Sequence, residues 1–170
     1  GNNISRLPHY KVVQRGIGRA FQRTNIFPFL TVMENVRAAV LSHKKKTLRF
    51  FRSSRTYEDV NEATVRILES INLKDKSDMP SSTLSHGDQK MLDIGIALAL
   101  EPELLLLDEP TAGMSPEERW YTMSLIQKLW KSRNMTLVFI EHDMDIVFSV
   151  SQKIRVFHYG RIIAEGTPEE

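Results

Sequence analysis

Leu104-Leu105-Leu106-Leu107-Asp108-Glu109-Pro110 decides the fold. Four leucines run without a polar break and end on two adjacent carboxylates. A short continuous apolar run, bounded by turn residues, suits a parallel strand buried on both faces. In open α/β sheets, ligands bind outside the carboxyl ends of such strands. Asp108 and Glu109 fall at that end, where a nucleotide and its metal are expected. Paired carboxylates can divide two tasks, one holding Mg²⁺ and the other orienting or deprotonating a water. The run alone is equally consistent with a strand that simply stops at two solvated acids.

The composition sets bounds on the rest. The chain has 170 residues, 41% hydrophobic and 26% charged, enough for one core of ordinary globular character. Its formal charge of +2 calls for no nucleic-acid partner. The absence of cysteine excludes a disulfide frame and thiolate metal sites, and suits a reducing compartment. No apolar run reaches the roughly 18 residues of a membrane span. No signal peptide is visible.

Upstream of the leucine run lies Thr83-Leu84-Ser85-His86-Gly87-Asp88-Gln89-Lys90. Ser85 followed by Asp88 fits a capping box that opens a helix. Free backbone N–H groups at such a helix start attract anions. The helix that follows, from Met91 to Leu100, reads as apolar nearly all round and therefore buried. Together, LSHGDQ and LLLLDEP resemble the LSGGQ signature and the Walker B strand of ABC ATPases. His86 stands at the second signature glycine. Asp88 replaces a commoner neutral residue, so its carboxylate either points away from phosphate or serves the helix cap. Ile96 stands where most relatives carry arginine.

The resemblance extends over nearly the whole chain and implies an α/β fold: a P-loop ATPase core with a mostly parallel sheet, plus an α-helical subdomain. Residues 1–30 and 101–170 would form the core, and residues 31–100 the helical subdomain with the signature. It implies ATP and Mg²⁺ as the bound groups. Gln22 resembles the Q-loop glutamine, whose amide oxygen touches the metal or the attacking water. Asp108 would hold Mg²⁺ and Glu109 would orient the nucleophile. His142, closing Met135–His142, resembles the H-loop histidine that meets the γ-phosphate. Ser115 falls in the D-loop. Ser85, Gly87 and Gln89 would complete the site of a facing subunit. The phosphate-cradling G-x-x-x-x-G-K-[ST] is not found. In the family it precedes the point where this chain begins, so Gly1 reads as a cut within a domain whose first several dozen residues lie upstream.

Within the family, Gly18-Arg19-Ala20-Phe21-Gln22, Leu30-Thr31-Val32-Met33-Glu34-Asn35-Val36 and Glu141-His142-Asp143-Met144-Asp145 resemble branched-chain amino acid importers. That likeness implies a second ATPase subunit, as homo- or heterodimer, and transmembrane permease subunits. It also implies no specific nucleic acid and a peripheral place on the cytoplasmic face of the inner or plasma membrane. Two other classes stay open. One is an ABC ATPase of another process, such as DNA repair. The other is a non-hydrolysing interaction module, suggested by the missing phosphate loop.

Further segments carry structural expectations. Thr31 with Glu34 is a capping box, and Val32, Val36, Ala39 and Val40 follow at helical spacing. Ile26, Phe27, Phe29 and Leu30 form an apolar cluster, divided between core packing and a groove for a partner helix. Residues 42–56 hold six of the 23 Lys+Arg and none of the 21 Asp+Glu. This stretch reads as a solvated basic face, with nucleic acid or anionic lipid as the alternatives. Val60, Ala63, Ile67, Leu68 and Ile71 make a helical core stripe. Ser115, Pro116 and Glu118 make a helix start. Trp120 and Trp130 read as packing. Met135–Asp143 is expected to be a second buried strand ending in polar residues. A hairpin is expected about Tyr159-Gly160.

Overall fold

The computed structural model describes residues 3–44 and 54–170. The basic stretch over 42–56 therefore lies for the most part outside the described residues. Three parallel strands set the frame: β1 (Ile17–Ala20), β2 (Leu104–Asp108) and β3 (Thr136–Ile140), with β2 in the centre. Ala20 stands beside Leu107, and Asp108 beside Ile140. A short helix α1 (His9–Val13) precedes β1. The long connection from β1 to β2 carries α2 (Val32–His43), α3 (Ser54–Ser70) and α4 (His86–Leu98). Helix α5 (Pro116–Ser132) joins β2 to β3, and α6 (Met144–Val150) follows. Strands β4 (Ile154–His158) and β5 (Arg161–Gly166) form a separate antiparallel hairpin. The architecture is the expected α/β class with a parallel sheet.

Local chemistry explains where the helices begin. Thr31 caps α2 and Ser115 caps α5, each in a complete capping box with Glu34 and Glu118 respectively. Pro116 opens α5, where its missing N–H costs nothing. At α4 the expected box is only half made. Ser85 accepts from the Asp88 N–H, but the Asp88 carboxylate pairs with Lys76 instead of returning to the cap. A lysine ammonium in reach is a stronger partner for a carboxylate than a neutral amide.

The core joins the helices to one face of the sheet. Val60 and Leu68 of α3, with Ile71 just after it, are buried with Leu92, Ile94 and Leu98 of α4, and with Leu105 and Leu107 of β2. Each such side chain contributes about 1.5–3 kcal/mol relative to exposure. Gly95 lets α3 and α4 approach: a Cβ there would meet Ile71 Cδ1 at 2.6 Å. The expected burial of α4 holds, but its buried residues include the charged Lys90 and Asp93.

Two strand expectations are also corrected. β2 is fully buried on one face only, through Leu105 and Leu107, while Leu104 and Leu106 are half-buried. β3 is not a buried strand: Val138 is 48% and Ile140 63% exposed. It stands at one edge of the described three-stranded sheet, and its Thr136, Val138 and Ile140 side is exposed. Trp130 packs on the core, whereas Trp120 is 46% exposed. The hairpin turns at Tyr159 and Gly160, both at positive φ, as a two-residue loop matching strand twist requires.

Two outcomes test this packing. Gly95→Val is expected to cost about 1–3 kcal/mol by overpacking, read as a lower urea midpoint. Gly95→Ala should cost less, because Ile71 Cδ1 can rotate away and alanine favours a helix by about 1 kcal/mol. In the hairpin, the hydrogen bond from Arg155 and the ion pair with Lys153 hold the Glu165 carboxyl down at about 2, from an ordinary 4.5. A depressed carboxyl supports the fold above its unfolded value and loses that support as pH falls towards 2. The protection of the β4 and β5 amides, taken relative to their intrinsic exchange at each pH, should therefore fall between those values, and Glu165→Gln should flatten the dependence.

Candidate active site

Parallel register brings three chain segments out at the same end of the sheet. Gln22 follows β1, Asp108 and Glu109 close β2, and His142 follows β3. Gln22 Nε2 donates to Glu109 Oε2 at 2.7 Å. His142 Nδ1 lies 3.6 Å from Glu109 Oε1. One carboxylate thus faces an amide with one oxygen and an imidazole with the other. Glu109 is largely enclosed, its side chain 26% exposed, while that of His142 is 76% exposed to solvent.

Backbone geometry aims this carboxylate. Glu109 has φ +45°, in the left-handed region that non-glycine residues rarely adopt. Its N–H still donates to the Ile140 carbonyl at 3.0 Å, so the ladder runs one step past β2 before the chain turns. Strain of this kind costs on the order of 1–3 kcal/mol and persists where surrounding bonds enforce it.

Asp108 faces a different neighbour. Its Oδ2 accepts from Arg19 Nη2 at 3.3 Å, and the Arg19 guanidinium lies 4.4 Å from the Phe21 ring centroid. Among the described residues no cluster of three or more His, Cys, Asp or Glu is arranged to hold a metal. Mg²⁺ asks for less: one or two protein oxygens, with water and substrate phosphates completing its shell. The Asp108 carboxylate and the Gln22 amide oxygen are hard donors of that type, so the residues fit Mg²⁺ better than a transition metal.

The remaining sequence-predicted residues gather elsewhere. Ser85 is spent as the cap of α4, and Gln89 Nε2 turns back to the Leu84 carbonyl at 3.2 Å. A Cβ at Gly87 would lie 3.8 Å from Met114, and the His86 ring abuts Gly113. Ser115 is spent as the cap of α5. The start of α4 therefore packs on the loop before α5. Among the described residues no hydrogen bond or ion pair joins Ser85, Gly87, Gln89 or Ser115 to Gln22, Glu109 or His142.

Several polar residues that position these loops were not foreseen. Glu141 Oε1 accepts from both the N–H and the hydroxyl of Thr111, fixing the loop after β2. Arg119 bonds the Met114 carbonyl and Asp143, and it holds the Asp143 carboxyl below its usual range. Asn35, 1% exposed, accepts from the Phe27 N–H at 2.8 Å and donates to the Phe27 and Thr31 carbonyls. Ser81 adds a bond to the same Phe27 carbonyl at 2.7 Å. This polar node presents Phe27 (59% exposed) and Phe29 (94%) outward, with Leu30 and Met79 beside them. The expected division of that cluster tilts to the surface, because only Ile26 packs against the core. The sequence signal was Asn35 on the same face as Val32, Val36 and Val40, a polar residue amid a core stripe.

A parallel α/β sheet whose strand ends collect an amide, two carboxylates and an imidazole defines a nucleotide-hydrolysing class of domain. Residues 1–112 match the family profile described as ABC transporter, and the chain belongs to that family of ATPases. It is 36% identical to the high-affinity branched-chain amino acid transport ATP-binding protein BraF of Pseudomonas aeruginosa, over all of this chain and 69% of BraF. It superposes on cbiO1 from Clostridium perfringens, part of the transporter complex cbiONQ, with TM-score 0.82 and 27% identity, over 98% of this chain and 62% of that one. It also matches the dimeric post-hydrolysis state of the ATP-binding cassette MJ0796, bound to ADP and Pi (TM-score 0.74, 27% identity), over 94% of this chain and 66% of that one. The chain thus spans about two thirds of the length of these relatives. No helix among the described residues is long and apolar enough to cross a membrane.

Asn35→Leu should destabilise the protein by about 1–3 kcal/mol, since it strands the Phe27 N–H, whose acceptor is the Asn35 amide oxygen. Urea denaturation checks this. Replacement of exposed Phe29 by alanine should change stability by no more than about 0.5 kcal/mol.

Proposed function

We propose that this chain is the greater part of the ATP-hydrolysing subunit of an importer for branched-chain amino acids or related small polar substrates. The observation that carries the reading is the meeting of Gln22, Glu109 and His142 at one end of the parallel sheet. The name of BraF supports the substrate class. ATP is the substrate of hydrolysis. Mg²⁺, held through Asp108 and Gln22, supplies neutralisation of phosphate charge.

The chain's own residues would act by position and charge. Glu109 Oε1 and Oε2 accept hydrogen bonds and orient a water for in-line attack on the γ-phosphorus, taking up its proton as the new O–P bond forms and the bond to the departing ADP oxygen breaks. His142, when protonated, donates from Nδ1 toward Glu109 and from Nε2 toward a phosphate oxygen. The Gln22 amide fixes the far side of the Glu109 carboxylate, limiting its rotamers and so its misdirected states.

The second residue group finds its use on a facing copy. Ser85, Gly87 and Gln89, with Ser115, lie apart from the Glu109 centre, and an α4 N-terminus suits an anion. They would close over nucleotide held by a second ATPase subunit, as the dimeric MJ0796 cassette makes plausible. Residues 31–100 form the helical subdomain in this reading, and residues 1–30 with 101–170 the core. The exposed Phe27, Phe29, Leu30 and Met79 support a permease subunit as the partner of this surface and, with it, a peripheral position at the cytoplasmic face of the membrane.

Glu109→Gln in the full-length protein keeps the shape and the contact to Gln22 but removes the base. Hydrolysis should fall by about 10²–10⁴-fold while ATP binding, followed by equilibrium dialysis, persists. Phosphate release at the unmodified rate would remove Glu109 from this role.

A further inference from the structure

Helix α4 buries two opposite charges, Lys90 at 3% and Asp93 at 4% exposure. Lys90 Nζ donates to three backbone carbonyls: Phe21 at 2.6 Å, Gln22 at 3.1 Å and Asp108 at 3.3 Å. Asp93 Oδ1 accepts from the Asn25 N–H at 3.2 Å. The cation thus holds carbonyls, and the anion an amide, of the same turn around Gln22.

This arrangement is costly. Burial pushes the Lys90 ammonium down and the Asp93 carboxyl up, and Asp93 Oδ2 has no hydrogen-bond partner. Well-packed apolar side chains usually stabilise a core at least as well as a buried ion pair. Packing of α4 on the sheet does not by itself call for these charges. What the charges add is a fixed relation between one helix and the carboxyl ends of two strands.

That relation joins two sets of residues. Lys90 follows directly on Gln89, so it sits less than one turn from Gly87 and about one and a half turns from Ser85. An α-helix transmits a displacement along its length because its backbone bonds resist bending. The geometry points to Lys90 and Asp93 as positioning residues that lock Gln22 and Asp108 to the register of α4. Engagement of residues 85–89 with nucleotide on a second copy then sets the Gln22–Glu109 contact in the same chain. The clamp couples the two ATP sites of a dimer. This inference rests on the reading that residues 85–89 complete a partner's site.

The test uses the full-length protein and its Ser85→Ala, Lys90→Met, Lys90→Arg and Asp93→Asn variants. ATP binding, kcat, the Mg²⁺ concentration for half-maximal rate, and amide exchange of residues 21–25 with and without ATP are measured. For Lys90→Met, ATP affinity should stay within about twofold while kcat falls about tenfold or more. The Mg²⁺ requirement should rise, and the ATP-induced protection of residues 21–25 should vanish. Lys90→Arg, which keeps the charge, should recover part of each, and Asp93→Asn should fall between. Lys90→Met with unmodified kcat and unmodified ATP-induced protection overturns the clamp. So does a loss of thermal stability with that protection intact. Should Lys90→Met fail to fold, Lys90→Arg and Asp93→Asn decide on the same readouts. If Ser85→Ala hydrolyses ATP like the unmodified protein, the partner-site reading fails. If Ser85→Ala is impaired and Lys90→Met is not, the clamp alone fails.

Discussion

The parallel pairing of β2 with both neighbours is the constraint on which the site depends. Antiparallel pairing would send Gln22 or His142 to the opposite end of the sheet. In the observed register all three loops leave from one end, within a side chain's reach of one another. The Glu109 N–H bond to the Ile140 carbonyl carries β2–β3 pairing one residue past the last regular pair. Only then does the chain turn through the left-handed conformation of Glu109. The carboxylate is therefore aimed by the sheet itself, and side-chain rotamers make only the final adjustment.

Around that frame, polar side chains hold the loops more than apolar ones do. Glu141 fixes the loop after β2 through Thr111. Arg119 ties the start of α5 to the cap of α6. Asn35 and Ser81 shape the turn that carries Phe27 and Phe29. Each of these side chains makes at least one bond to backbone, so each fixes chain path and not merely a side chain. Loops near a ligand cannot be held by burial alone, since they must remain open to solvent. Directed hydrogen bonds supply the order that burial cannot.

Much of the fold was legible from local chemistry. The boxes at Thr31 and Ser115 and the hairpin at Tyr159-Gly160 depend on residues a few positions apart, so short-range pattern suffices. The runs at 104–108 and 136–140 were correctly read as strands, but their burial was not, because burial depends on what covers each face. Val138 looks like a core residue in sequence, yet it stands on an edge strand. Gln22, Glu109 and His142 could be singled out because each follows a strand-like run. Their convergence could not be derived from spacing, because it depends on strand order. Lys90 and Asp93 were passed over because the apolar residues around them dominate the pattern of the helix. Here the helix has no solvent face at that level, and the charges bond the backbone of a distant loop.

This last point alters how the cost of the site is understood. The left-handed turn at Glu109 and the buried charges at Lys90 and Asp93 both oppose stability. They meet at the same place, the carboxyl ends of β1 and β2. A core selected for stability alone would place apolar contacts there and let the strands end in relaxed turns. Lys90 instead draws together the carbonyls of Gln22 and Asp108, whose dipoles would otherwise repel where the two strands diverge. A single ammonium with three donors can bridge carbonyls on two strands, which no apolar side chain can do. The unfavourable charge and the strained backbone are thus parts of one arrangement. The buried cation keeps the strand ends close, and that closeness lets a turned Glu109 reach Gln22 and His142 together.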